Sequence, residues 1–111
     1  MSTIVASKAK LDALGSGRFR VSGVLDASTA GEVLRQSEQR FADAERLEVD
    51  LGGVAESDSA GLALLIEWVR GARQRKQEIR FANVPAQINA LAKISEVEDL
   101  LLLPAPAAHP R

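Results

Sequence analysis

The sequence predicts an α/β fold in which three main helices pack on a mixed β-sheet of about four to five strands. Short segments with alternating apolar and polar residues, typical of strands, are interspersed with longer segments whose apolar residues recur at helical spacing. The first two strand segments are adjacent, which predicts a hairpin, whereas a helix precedes each later strand. A hairpin followed by β-α-β units gives a sheet with both antiparallel and parallel pairs.

The predicted elements follow the order β-β-α-β-α-β-α-β, and the hairpin turns at Gly15-Ser16-Gly17. Glycine and serine are favoured there because they tolerate the backbone angles that a chain reversal requires. The third strand is predicted to end at Gly52-Gly53, where the chain turns out of the sheet. The five predicted strands cover residues 10–14, 18–24, 46–51, 78–84 and 100–103.

Each predicted helix is marked by a start signal and by one apolar stripe. The first is expected to begin with a capping box formed by Thr29 and Glu32. The second covers about 59–76, and the third is a short helix that opens at Pro85. The inward-facing residues of the three helices are, in order, Ala30, Val33, Leu34, Ser37 and Phe41; Leu62, Leu65, Ile66 and Val69; and Ile88, Leu91 and Ala92.

Length and composition indicate one domain that folds without disulfides or metal. The 111 residues suit a single domain, predicted over residues 1–103, with a disordered Pro/Ala tail at 104–111. The chain has no cysteine, and its 14 Lys and Arg residues nearly balance 15 Asp and Glu residues, which argues against nucleic acid as a partner. No apolar run is long enough to span a membrane, and no signal peptide is evident. We therefore expect a cytoplasmic protein.

Residues for catalysis or cofactor binding are scarce. The only histidine is His109, within the Pro/Ala tail, so no serine has a positioned base. Gly52-Gly53 lacks the lysine of a phosphate-binding loop, and no metal-binding spacing of Cys or His occurs. Glu56 and Asp58 could form an acid–base pair, but acids just before a helix more often cap it. We expect no catalytic residue, no metal and no cofactor.

The strongest candidate site is the segment Asp58-Ser59-Ala60-Gly61-Leu62, at the start of the second helix. Asp58 or Ser57 is expected to cap the helix, which leaves Ser59 in the first turn beside unsatisfied N–H groups. That position suits a hydrogen-bonded partner or a phosphate. Ala60 and Gly61 are small, so the surface of another protein could approach closely. A plain capped helix start is the alternative interpretation.

Two large apolar residues of the second helix, Leu64 and Trp68, fall outside its predicted stripe at 100° per residue. One interpretation is that they form an exposed contact patch beside the candidate segment, since tryptophan is common in interface hot spots. An exposed Trp68 would also permit a homodimer. The other interpretation places Trp68 in the core, at a boundary between helices.

The segments Val49-Asp50-Leu51-Gly52-Gly53-Val54 and Asp58-Ser59-Ala60-Gly61-Leu62 resemble the signature of STAS domains, a group that includes cytoplasmic domains of sulfate transporters and anti-sigma-factor antagonists. The element order extends this resemblance from about Lys8 to Leu103. The stretch 90–101 is more similar to the MlaB-type branch. One departure is Ser57, because the residue before the aspartate is usually apolar in the family.

The resemblance implies a STAS-like fold and two alternative functions. An MlaB-type domain is a non-catalytic subunit that binds the ATPase (MlaF-like) of the Mla phospholipid-transport ABC complex, peripheral to the inner membrane. An anti-sigma-factor antagonist binds a kinase-like anti-sigma factor, and the serine matching Ser59 is its phosphorylation switch. Glu56 and Asp58 flank Ser59 with negative charge, which disfavours a phosphate there. We favour the MlaB-type reading, with Asp58, Ser59, Ala60, Gly61, Leu62, Leu64 and Trp68 as partner-binding residues.

Overall fold

Four strands and four helices make up residues 8–101, the part of the chain that the computed structural model describes. The strands are β1 (Ala9–Gly15), β2 (Arg18–Leu25), β3 (Arg46–Ser57) and β4 (Glu78–Ala82). The helices are α1 (Ala30–Ala42), α2 (Ser59–Gln74), α3 (Ala86–Ile94) and α4 (Glu98–Leu101). The predicted α/β class, with a mixed sheet and three main helices, is confirmed.

The sheet has the strand order β1-β2-β3-β4, so each strand pairs with its neighbour in sequence. The pair β1/β2 is antiparallel, and the pairs β2/β3 and β3/β4 are parallel. Gly15, Ser16 and Gly17 of the hairpin turn all have positive φ angles, as the turn prediction requires. Parallel pairs need right-handed crossovers, which place α1 and α2 on the same face of the sheet.

One face of the sheet forms the core and the other is solvated. Alternate strand residues such as Leu11, Val21 and Val49 are buried beneath the helices. The residues between them are charged and form cross-strand ion pairs, Arg20–Asp50 at 3.4 Å and Arg46–Glu78 at 3.6 Å. An antiparallel or mixed sheet can keep one face in water when this alternation holds. No helix within residues 8–101 is both long and apolar enough to cross a membrane.

Strand β3 is longer than predicted, because it continues through Gly52-Gly53 to Ser57. Its register against β2 shifts twice, between Arg20 and Ser22 and between Gly23 and Val24, so β3 carries extra residues there. A Cβ on Gly53 would lie 2.8 Å from the Cβ of Ser22. The glycine therefore permits close strand pairing at a bulge and does not end the strand.

The predicted capping box of α1 is wrong. Thr29 is the N-cap residue, but its side chain makes no capping bond to the helix. Its hydroxyl instead accepts from the Asp26 N–H at 3.0 Å and donates to the Val24 carbonyl at 2.8 Å. These bonds stabilise the turn between β2 and α1. Because they use the Thr29 hydroxyl, it is not available to cap α1.

The predicted last strand is also wrong where the structure describes it, because residues 98–101 form α4. Leu101 is buried, and α4 packs against α2. Consecutive leucines suit a buried strand and a buried helix equally, so periodicity does not separate the two. Residues 102–103, the tail predicted at 104–111 and His109 lie outside the described residues.

Candidate functional site

The candidate site lies where the carboxyl end of β3 meets the start of α2. Asp58 has an extended backbone, and its Oδ1 accepts from the Ala60 N–H at 2.8 Å. Its carbonyl accepts from the Gly61 N–H at 2.9 Å, which closes the first turn. Asp58 is therefore the N-cap, one of the two residues that the sequence predicted for this role, and its carboxylate already occupies the positive end of the helix.

Ser59, the first residue of α2, is exposed. Its hydroxyl makes no hydrogen bond with any other residue in the range 8–101. Ala60 beside it is half-buried. These two residues and Asp58 are the members of the candidate segment that another molecule can reach.

Gly61 is buried, and its small size serves the interior of the domain. A Cβ at this position would lie 2.0 Å from the Ser57 Oγ and 3.3 Å from the Cδ1 of Ile88. Leu62 is also buried, at 7% exposure. The expectation that Gly61 lets a partner approach is therefore not supported by its position, because strand β3 and helix α3 already fill the space above it.

Ser57, the departure from the family pattern, is buried beneath this contact. Its hydroxyl donates to the Asp58 carbonyl at 3.3 Å, and its N–H donates to the Oε1 of Gln87 at 3.0 Å. Gln87 lies in the first turn of α3, so it ties that helix to the end of β3. The sequence analysis missed Gln87, and nothing in the local sequence indicates its partner 30 residues away.

The predicted contact patch of Leu64 and Trp68 is wrong, because both side chains are buried, with 3% and 2% exposure. The Nε1 of Trp68 donates to the Ser37 Oγ at 2.8 Å, and its ring lies 5.4 Å from that of Phe41. Helix α2 is flanked by α1 on one side and by α3 and α4 on the other. Its buried residues therefore span an arc of about 160° at 100° per residue, wider than the predicted stripe of about 100°.

The surface around Ser59 is acidic. The Asp58 N–H donates to the Leu25 carbonyl at 3.2 Å, which brings the ends of β2 and β3 together and places Asp26 beside the segment. None of the carboxylates of Asp26, Glu56 and Asp58 forms an ion pair with a described residue. Two hydrogen bonds from Ser28 hold the pKa of Asp26 below its ordinary value, the bond from the hydroxyl having a larger effect than the bond from the N–H.

A shallow apolar depression lies beside this acidic surface, between the first turns of α1 and α2. Sequence analysis missed it, because it combines residues that are far apart in the chain. The depression is lined by Ala27, Ala30, Gly31, Leu34, Ala60, Ala63, Leu64 and Glu67. The lining consists mainly of small residues and leucines, with the carboxylate of Glu67 among them.

A second polar cluster surrounds Asp50, at the point where β3 passes the end of β4. Its Oδ1 accepts from the Asn83 amide at 3.0 Å and from the Gly52 N–H at 2.8 Å. The pKa of Asp50 is lowered mainly by the hydrogen bond from Asn83 and next by the bond from the Gly52 N–H. Arg20 lowers it further, by a smaller amount. Asp50 therefore stays ionised and holds the bulged part of β3 in place. Within residues 8–101, no three metal-binding side chains lie close enough together to hold an ion.

Comparisons with known proteins agree with this architecture. The structure of the anti-sigma factor antagonist SpoIIAA in its unphosphorylated form matches this chain with a TM-score of 0.65 and 11% identity. The match covers 83% of this chain and 84% of SpoIIAA. The murine Slc26a9 anion transporter in the inward-facing state matches with a TM-score of 0.61 and 17% identity. That match covers 76% of this chain but only 14% of the transporter. At such identities the similarity shows a shared fold.

Sequence comparison identifies the family. No curated protein matches the chain at significant similarity. The family model described as "Mlab, STAS domain" matches residues 11–104, which is most of the chain. The matched range includes both the β3 segment and the α2 start that carry the resemblance. The chain therefore belongs to the STAS-domain family, in its Mlab group.

Proposed function

We propose that this chain is a non-catalytic accessory subunit that binds and supports the ATPase of a bacterial phospholipid-transport ABC complex of the Mla type, which maintains outer-membrane lipid asymmetry. The observation that carries the proposal is the Mlab family match over residues 11–104. In this role the domain is cytoplasmic and is held at the inner membrane by its complex.

The proposed contact centres on the exposed start of α2. Asp58, Ser59 and Ala60 supply the reachable surface, together with the neighbouring acids Asp26 and Glu56. Gly61, Leu62, Leu64 and Trp68 shape this surface from within, because all four are buried. Unpaired carboxylates favour a partner surface that carries Lys or Arg residues.

The test is co-purification with the ATPase subunit of the Mla-type complex from the same host. Ser59→Arg places a long cation at the centre of the contact, and it should abolish co-purification while the circular dichroism spectrum and melting temperature stay unchanged. Ser16→Arg is the matched control, since Ser16 is an exposed serine in the hairpin turn, at the opposite end of the sheet. Retained binding by Ser59→Arg would contradict the site; absent binding by the wild type would contradict the function.

The second candidate is an anti-sigma factor antagonist regulated by phosphorylation of Ser59. The exposed hydroxyl, which is free of bonds to described residues, favours it. A phosphate of about −1.5 to −2 charge would stand beside Asp58 and Glu56, and repulsion among these charges disfavours the modified state. The Asp58 carboxylate also already accepts a first-turn N–H that a phosphate would use.

Intact-mass analysis of the protein purified from its native host separates the two candidates. A phosphorylated fraction that maps to Ser59, together with loss of binding to an anti-sigma kinase on phosphorylation, supports the antagonist. An unmodified protein that co-purifies with the ATPase supports the accessory subunit.

A further inference from the structure

A cavity of about 330 Å³ lies at the outer side of the sheet, between β4, the second half of α2 and α4. Five apolar and four polar residues line it: Val69, Ala72, Ile79, Leu100 and Leu101, with Arg73, Gln77, Glu78 and Arg80. Arg73, Glu78 and Arg80 are exposed, so their charged groups reach water. The Gln77 amide donates to the carbonyls of Phe41 and Ala44, away from the cavity. The interior of the cavity is therefore apolar.

The outer edge of β4 borders this cavity and has no partner strand in the described part of the sheet. The Glu78 N–H donates to the Glu45 carbonyl at 3.3 Å, so the backbone of Glu78 faces β3. Because the backbone groups of alternate residues face the same neighbour in a parallel pair, Ile79 and Phe81 direct their N–H and carbonyl groups away from β3. An edge of this kind is open to pairing with other chains unless something covers it.

The opposite edge of the sheet, formed by β1, has a cover. The Lys8 carbonyl accepts from the Val24 N–H at 2.8 Å, so Lys8 faces β2 and the Leu11 carbonyl, at an odd spacing from it, faces outward. The guanidinium of Arg40 on α1 donates to this Leu11 carbonyl at 2.8 Å. The fold therefore protects one edge with a side chain from a helix, and β4 has no equivalent contact within residues 8–101.

The chain itself provides the apolar residues nearest to the cavity. Leu100 and Leu101 line it and are the last residues that the structure describes, and Leu102 and Leu103 follow directly. Two extended residues reach only about 7 Å beyond Leu101, which keeps both leucines beside the cavity. The family match continues to residue 104, so it includes both of them. Residues 105–111 contain only alanine, proline, histidine and arginine, and they offer no large apolar side chain.

We propose that Leu102 and Leu103 pack over the outer edge of β4 and fill this cavity, as the counterpart of Arg40 at β1. A segment tethered beside its site has an effective concentration in the millimolar range, which favours it over a separate chain. The cover belongs to the domain itself and goes beyond the proposed function, since it is present whichever partner binds.

The first experiment is methyl NMR of the full chain with labelled isoleucine and leucine methyl groups. Nuclear Overhauser effects between the Ile79 methyl groups and those of Leu102 or Leu103 should be observed. A sample that mixes labelled and unlabelled chains separates contacts within one chain from contacts between two. Absence of these effects, or their appearance only between chains, would overturn the proposal.

The second experiment measures thermal stability. Leu102→Ser combined with Leu103→Ser should lower the melting temperature of the full chain by about 8 °C, because two leucine side chains lose their apolar contacts. Ala107→Ser combined with Ala108→Ser is the matched control, since it places two serines beyond the family match, and it should leave the melting temperature unchanged. Equal melting temperatures for the leucine variant and the wild type would overturn the cover.

Discussion

Replacing Gly61 by alanine tests whether the family glycine has an internal role. The added Cβ would lie 2.0 Å from the Ser57 Oγ, far inside normal contact distance, while its other neighbours stand at 3.3 Å and 3.4 Å. The Ser57 hydroxyl must therefore leave its place, by rotation or by displacement of the end of β3. Either change disturbs the bond from this hydroxyl to the Asp58 carbonyl beside the N-cap.

The size of the effect follows from two opposing terms. Overpacking of a buried contact costs about 2 kcal/mol, whereas alanine stabilises a helix over glycine by about 1 kcal/mol. Gly61→Ala should therefore lower the free energy of unfolding by about 1 kcal/mol and the melting temperature by about 4 °C. When Ser57 is also changed to alanine, the clashing oxygen is absent, and Gly61→Ala should raise stability by about 1 kcal/mol.

The assay is urea denaturation of the wild type, both single variants and the double variant, analysed as a double-mutant cycle. The expected coupling energy between positions 57 and 61 is about 2 kcal/mol. Equal effects of Gly61→Ala in the two backgrounds would refute the contact. The double variant should still bind the partner, because neither changed side chain belongs to the reachable surface of Asp58, Ser59 and Ala60.

Two further predictions concern the core and the Asp50 cluster. Trp68→Phe should lower the free energy of unfolding by about 2 kcal/mol in urea denaturation, because it removes the hydrogen bond to Ser37 and leaves a small void. Trp68 is the only tryptophan, so the folded wild type should show blue-shifted tryptophan fluorescence. Emission typical of an exposed indole would contradict the burial of Trp68. Asp50→Asn should destabilise the domain at neutral pH, because it removes the carboxylate that accepts from Asn83. The hydrogen bond from Asn83 is the main cause of the lowered pKa of Asp50. A lowered folded pKa gives stability that is present above the unfolded value, about 3.9, and is lost as the pH falls through the folded one. The difference from wild type should therefore shrink in denaturation curves taken from pH 7 to pH 3, and a constant difference would contradict the role of ionised Asp50.

The candidate site shows where sequence patterns are informative and where they stop. Asp58 was predictable as a cap because capping is local, and the helix that follows it supplies the N–H groups. Leu64 and Trp68 were misplaced because one apolar stripe was assumed, although a central helix with neighbours on both sides buries a wider arc. The β3 bulges were missed because a glycine pair signals a turn as readily as a close strand contact.

The sequence by itself determined the fold class, the hairpin, the positions of the three main helices and a helix cap at Ser57 or Asp58, because alternation, helical periodicity and capping act between residues close in the chain. The tertiary structure alone decided which apolar residues are exposed, why Gly61 must be small, and that Gln87 and Ser37 serve as partners for Ser57 and Trp68. The two hydrogen bonds join residues 30 and 31 positions apart, and Gly61 is enclosed by the neighbouring Ser57 and by Ile88 of α3, so this geometry is fixed only when the helices pack on the sheet.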